Sequence, residues 1–224
     1  MNFIKNSLQK WHILPLLERK PIIFLSSRKR LQYNCAVMAN LILSDCFGVI
    51  MNEIAVDWFN EHFDDPKIAM TLKEKYFNDC DLGDVSLDEV FESIGKDLGY
   101  DPKELKDDWY RRIHLRQDVF DYITSLRRGD DKLVLLSNAG FPFLGQIIDR
   151  FGFKDRFDKI FVSGAYHMMK PDPEFYKLAI NSYSEKFDHI YMIDDNPKNL
   201  APVSALGIEP ILYTDLDSLK AVFH

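Results

Sequence analysis

Leu41-Ile42-Leu43-Ser44-Asp45-Cys46-Phe47-Gly48-Val49 is an apolar run that ends on a carboxylate and turns on a glycine. A run of this length reads as a strand buried on both faces. A carboxylate at its tip can attack phosphorus or carbon and form an ester, and Gly48 lets the chain leave the strand sharply. Three further pieces follow in order. Residues 133–136 lead into Ser137-Asn138-Ala139-Gly140, Lys170-Pro171-Asp172-Pro173 opens a Pro-punctuated segment, and residues 190–193 lead into Asp194-Asp195-Asn196. Parallel α/β sheets hold ligands at the carboxyl ends of their strands, so a nucleophile, a hydroxyl, a cation and an acidic pair are expected to converge there.

Each piece has its own chemistry. Ser137 offers a hydroxyl, and Asn138 and Ala139 offer successive backbone N–H groups before a helix, an arrangement suited to phosphate. Lys170 neutralises a carboxylate and a substrate anion together. Adjacent Asp194 and Asp195 repel unless a cation separates them, and Mg²⁺ prefers a few carboxylates plus phosphate oxygens.

Outward from these motifs, strands at 133–136, 160–162, 190–193 and 211–213 alternate with helices at 117–128, 143–151, 173–185 and 198–206. The alternation predicts an α/β, Rossmann-like, doubly wound parallel sheet. Between 51 and 115 the period changes to helical throughout. Helices are expected at 52–63 and 65–79, from Ser86 to about Leu98, and from Pro102, with a capping box at Ser86/Glu89 and proline in the last helix's first turn. This gives a core of 38–50 and 116–224 with an inserted helical cap at 51–115.

Residues 1–37 differ from the remainder. They carry a charge of +6 against −13 for the rest, within a net −7, and show no sustained period. They are read as an atypical extension, with Met38 as the natural start. An acidic body is unsuited to nucleic-acid backbones, and no apolar stretch approaches the ~20 residues of a membrane helix. Cys35, Cys46 and Cys80 are three in number and lack CxxC spacing, which points to a reducing, cytoplasmic setting.

The motifs Leu-Ser-Asn-Ala-Gly (136–140), Lys-Pro-Asp-Pro (170–173) and Ile-Asp-Asp-Asn-Pro-Lys-Asn (193–199), following Asp45 in order, resemble the haloacid dehalogenase-like superfamily, in its branch with a helical cap after the first strand. The resemblance covers about residues 40–214. It implies Asp45 as nucleophile, Ser137 with Asn138 and Ala139 as phosphate binders, and Lys170 as organising cation. It also implies Mg²⁺ held by Asp45, Asp194, Asp195 and the backbone carbonyl of Phe47. The implied activity is hydrolysis of a small phosphorylated metabolite, a sugar phosphate or acyl phosphate, through an aspartyl-phosphate, by a monomer or dimer.

Phe47 departs from that pattern. The family's phosphatases carry a second Asp there, which protonates the leaving alcohol, and general acid–base help is typically worth ~10²–10⁴ in rate. Two alternatives therefore stand beside the phosphatase: a weak or inactive binding protein, and a 2-haloacid dehalogenase. Dehalogenases of the family resemble this chain in an aromatic residue at that position, but lack the acidic pair. In the cap, Arg111, Arg112 and His114 are candidates to meet a substrate anion, and His167 is a conceivable replacement proton donor.

Overall fold

The computed structural model describes residues 39–223; the N-terminal extension and the proposed start at Met38 lie outside the described residues. The centre is β1 (Asn40–Ser44), flanked by β2 (Lys132–Ser137) and β4 (His189–Asp194), with β3 (Lys159–Val162) beyond β2 and β5 (Glu209–Leu212) beyond β4. Every pairing is parallel, so this is a five-stranded Rossmann-like α/β sheet. Its inner strands are apolar without interruption because helices cover both faces. Leu41, Leu43, Val134, Leu136 and Met192 pack with Phe175, Tyr176 and Ala179 in one buried cluster.

The segment expected as the cap holds four helices, α1 (Ile54–His62), α2 (Pro66–Leu82), α3 (Leu87–Leu98) and α4 (Pro102–Arg111). The chain leaves and returns side by side: Met51 bridges Leu115, and Arg116 N donates to Ile50 O at 2.9 Å. Caps fix the helix starts. Asp65 accepts from Lys67 N, Ser86 and Glu89 form the capping box, and Asp101 accepts from Lys103 N and Glu104 N. Helix α2 runs past 79 to Leu82, where Gly83, with φ +82, stops it. Phe77 stacks on Trp109 at 4.8 Å and Phe91 meets the same indole edge-on, which ties α2, α3 and α4 into one body.

Core helices are α5 (Gln117–Ser125), α6 (Phe141–Phe151), α7 (Ser163–Tyr166), α8 (Pro173–Ile180), α9 (Pro197–Leu200) and α10 (Leu216–Val222). Two of them, α7 and α10, are absent from the sequence expectation, and three others depart from it by more than a residue or two. Helix α8 stops at Ile180 instead of 185, where Ser182 Oγ turns back onto Ala179 O. The helix expected at 198–206 divides into α9 and a 3-10 turn (Val203–Leu206), because Pro202 has no N–H to continue the ladder. Helix α5 ends at Ser125 and not 128, with the Thr124 and Ser125 hydroxyls bonded to the carbonyls of Asp121 and Tyr122. Among the described residues no helix is long and apolar enough to cross a membrane.

Candidate active site

Register sets the geometry. Ser44 stands level with Ile193 in the ladder, so Asp45 and Asp194 leave adjacent strands side by side. Asp45 N still donates to Ile193 O at 2.9 Å. Lys170 comes from no strand; the segment between α7 and α8 delivers it. Asn138 clasps its backbone, donating from Nδ2 to Lys170 O and accepting from Lys170 N, both at 2.8 Å.

The Lys170 ammonium lies 2.8 Å from Asp45 Oδ2 and 2.7 Å from Asp194 Oδ2, and is 1% exposed. Burial works to discharge it, but Asp194 and Asp45 outweigh burial and hold its pKa well above the ordinary lysine range. Burial pushes the Asp45 carboxyl well up; Lys170 opposes this and the charges of Asp194 and Asp195 add to it. Asp194 is fixed further by Asn196 N at 2.9 Å and Asn199 Nδ2 at 3.0 Å.

Asp195 packs against Gly48. That residue has φ +84, and a Cβ there would fall 2.2 Å from Asp195 Oδ2. Both backbone conformation and close approach therefore require glycine. Oxygens of Asp45, Asp194 and Asp195 lie within 4.8 Å of one another, a hard-oxygen donor set that fits Mg²⁺. Ser137 Oγ is buried and has no hydrogen-bond partner among the described residues. Buried hydroxyls are seldom left unpaired, so an anion accepting from it fits the site.

Asp45, Lys170 and Asp195 open into a cavity of about 540 Å³ between core and cap. Asp45, Phe47, Asn138, Ala139, Lys170 and Asp195 line the core side. Phe47 stacks on Phe143 at 5.9 Å, and Tyr110 meets Phe143 edge-on at 5.7 Å. The cap contributes Glu53, Lys73 and Asp81 beside Phe77 and Trp109. Lys73 Nζ lies 3.7 Å from Asp81 Oδ2.

The cap residues singled out from sequence stand elsewhere. Arg112 forks onto Glu61 at 2.8 and 2.7 Å and reaches Asp108 at 2.7 Å. Arg111 pairs with Asp108 at 3.1 Å, His114 N donates to Asn52 Oδ1 at 2.8 Å, and His167 sits 3.3 Å from Asp84. None of the four lines the cavity. The cap cation that does is Lys73, on a stripe of α2 with Phe77, Cys80 and Asp81, legible as positions i, i+4, i+7 and i+8.

Two supporting groups carry no sequence signal. Arg116 Nη1 donates to Gly48 O and, at 3.3 Å, to Val49 O, bracing the turn after Asp45. Ser163 Oγ donates to Asp81 O in the cap and accepts from Ala139 N at 2.9 Å in the core, joining the end of α2 to the 137–140 loop.

The fold agrees with comparison to known proteins. The model of haloacid dehalogenase-like hydrolases matches residues 39–207, and the chain belongs to that family. The drimenol cyclase drtB of Aspergillus calidoustus is 23% identical over 159 residues, covering 68% of this chain and 30% of the cyclase. The bifunctional epoxide hydrolase 2 of Sus scrofa is 34% identical over 65 residues, covering 29% of this chain and 12% of the hydrolase. The chain thus spans under a third of the length of these two relatives. The HAD family enzyme bt-2542 of Bacteroides thetaiotaomicron, in complex with magnesium and inorganic phosphate, shares the fold with a TM-score of 0.64 and 22% identity, over 84% of this chain and all of that one. The L-2-haloacid dehalogenase of Xanthobacter autotrophicus matches with a TM-score of 0.58 and 18% identity, over 82% of each chain.

Proposed function

We propose that this hydrolase is a Mg²⁺-dependent phosphatase of a small phosphorylated metabolite, with a sugar phosphate or acyl phosphate as the substrate class. The observation that carries this is the buried Lys170 ammonium bonded to both Asp45 and Asp194, with Asp195 alongside. One cation against three carboxylates leaves negative charge that a divalent ion would balance. Asp45, Asp194, Asp195 and the Phe47 carbonyl would hold it, and it would supply Lewis-acid neutralisation of the phosphate oxygens.

In this reading Asp45 Oδ attacks phosphorus. Lys170 orients that carboxylate and lowers repulsion between it and the incoming anion. Ser137 Oγ and the Asn138 N–H hold the phosphoryl oxygens; the Ala139 N–H, expected from the sequence to join them, is taken by Ser163 Oγ at 2.9 Å. Water then displaces the phosphoryl group and restores Asp45. The net charge of −7, the cavity of about 540 Å³ and the buried Cys46 and Cys80 support a free metabolite in a reducing cytoplasm over a nucleic acid or membrane as partner; the chain is proposed to act as monomer or dimer.

A panel of sugar phosphates and acyl phosphates, assayed for phosphate with Mg²⁺ and with EDTA, tests this. Release from at least one compound, abolished by EDTA, is expected; silence across the panel with Mg²⁺ present leaves a binding protein. The stacked Phe47 and Phe143 in the cavity wall favour a second reading, dehalogenation, since halide departs without a proton. Chloride release from 2-chloropropionate in EDTA would select it.

Gly48→Ala tests the acidic site separately. A Cβ at φ +84 costs about 1–3 kcal/mol of strain and drives Asp195 away. Mg²⁺ affinity by calorimetry should fall about 10–100-fold, as it does when support to a metal ligand is lost. Unchanged affinity would remove Asp195 from the metal site.

A further inference from the structure

Position 47 lacks the carboxyl that would move a proton, yet the cavity holds another. The turn after Asp45 folds Met51 back beside Phe47: the two form a bridge, and Gly48 N donates to Met51 O at 2.9 Å. Glu53 lies two residues further along, at the start of α1, and faces the same cavity as Asp45 and Phe47. We infer that Glu53 replaces the missing carboxyl at position 47, giving a proton to the departing alcohol and taking one from the hydrolytic water. This rests on the phosphatase reading above.

The cavity's other titratable side chains are committed elsewhere. Asp45, Lys170 and Asp195 form the nucleophile, cation and metal cluster. Asp81 pairs with Lys73, and Glu74 reaches Lys198 at 2.8 Å. Burial pushes the Cys80 thiol up to about 12, too weak an acid for the task. Glu53 differs from these. Burial pushes its carboxyl up to about 7, with Lys73 on α2 and the Val56 N–H opposing, and Asp195 after β4 and Asp81 on α2 adding. A group that titrates near the working pH can both donate and accept.

The bonds balance in both steps. As the Asp45 oxygen bonds to phosphorus, the ester P–O bond breaks. Its electron pair stays on the leaving oxygen, which takes the proton from Glu53. Water then bonds to phosphorus, the bond to Asp45 breaks, and Glu53 recovers a proton from that water. One ester and one water become one alcohol and one phosphate.

Leaving-group dependence tests the assignment. On β-glycerophosphate, whose alkoxide leaves poorly, Glu53→Gln should slow single-turnover release about 10²–10⁴-fold. On p-nitrophenyl phosphate, which needs little protonation, the first step should survive and the second stall. The variant should then give a burst of one equivalent of p-nitrophenol and accumulate phosphorylated protein by mass. Phe47→Asp added to Glu53→Gln should return alkyl-phosphate turnover, a rescue that a structural role for Glu53 would not allow. Glu53→Gln that keeps wild-type rates on both esters overturns the inference while the phosphatase stands. So does a wild type that cleaves only the activated ester. A wild type that releases phosphate from neither these esters nor the wider panel overturns the phosphatase reading and this inference with it.

Discussion

Asp45→Asn removes phosphate release, on the order of 10⁴-fold or more, while leaving the fold intact. The size follows from the role: a nucleophile whose partners act with it as one unit takes nearly the whole rate with it when lost. Intactness follows from the surroundings. The asparagine occupies nearly the same volume and can still accept from Cys46 N, which donates to Asp45 Oδ1 at 2.6 Å. Lys170 keeps Asp194 as its counter-charge at 2.7 Å. A melting curve close to wild type, together with loss of both turnover and phosphoprotein, is the expected result. Activity within tenfold of wild type would mean that water attacks the substrate directly, and the covalent route through Asp45 would be abandoned.

What the sequence makes visible here, and what it hides, divides by distance. The strand tips are legible because a strand covered on both faces must be apolar throughout, so Asp45, Ser137 and Asp194 stand out where each run breaks. The cap starts are legible because Ser86/Glu89 and Asp101-Pro102 act within one turn of helix. Contacts across the chain are not. Arg112 reads as a substrate-facing cation, yet Glu61, 51 residues earlier, and Asp108 consume its charge. Arg116, Asn199 and Ser163 act on backbone or carboxylate atoms that only the folded chain brings near. Glu53 is hidden differently: it falls inside the helix expected at 52–63 with nothing to mark it, and the bridge between Phe47 and Met51 brings it back toward the cavity. The N-terminal extension, distinct in charge, lies outside the described residues.

Lys170→Met carries the second large effect, on stability as well as on activity. The side chain lies buried between Asp45 and Asp194, and removing one partner of a buried ionic cluster costs about 3–5 kcal/mol because the remaining charge is uncompensated. For a domain of this size that is a drop of about 6–20 °C in melting temperature. The loop itself stays tethered, since Asn138 holds the backbone of residue 170 and not its side chain; the loss therefore reports charge.

The pH dependence of that loss has a definite sign. Burial lifts the Asp45 and Asp195 carboxyls above their ordinary values, and Lys170 pulls both back down, joined at Asp195 by a backbone N–H and Arg116. Without it they rise further. A carboxyl with a higher pKa folded than unfolded binds its proton more tightly in the native state, so it favours folding at low pH and withdraws that support as pH climbs. In EDTA the deficit of Lys170→Met should therefore be small near pH 4 and widen toward neutrality. Adding Mg²⁺ at neutral pH should recover part of it, since saturation at a hundredfold over the dissociation constant contributes about 2.7 kcal/mol. A deficit that is flat with pH and indifferent to Mg²⁺ would mean that packing around the Lys170 stem, and not its charge, holds the site together, and the three carboxylates would then lose their claim to a divalent ion.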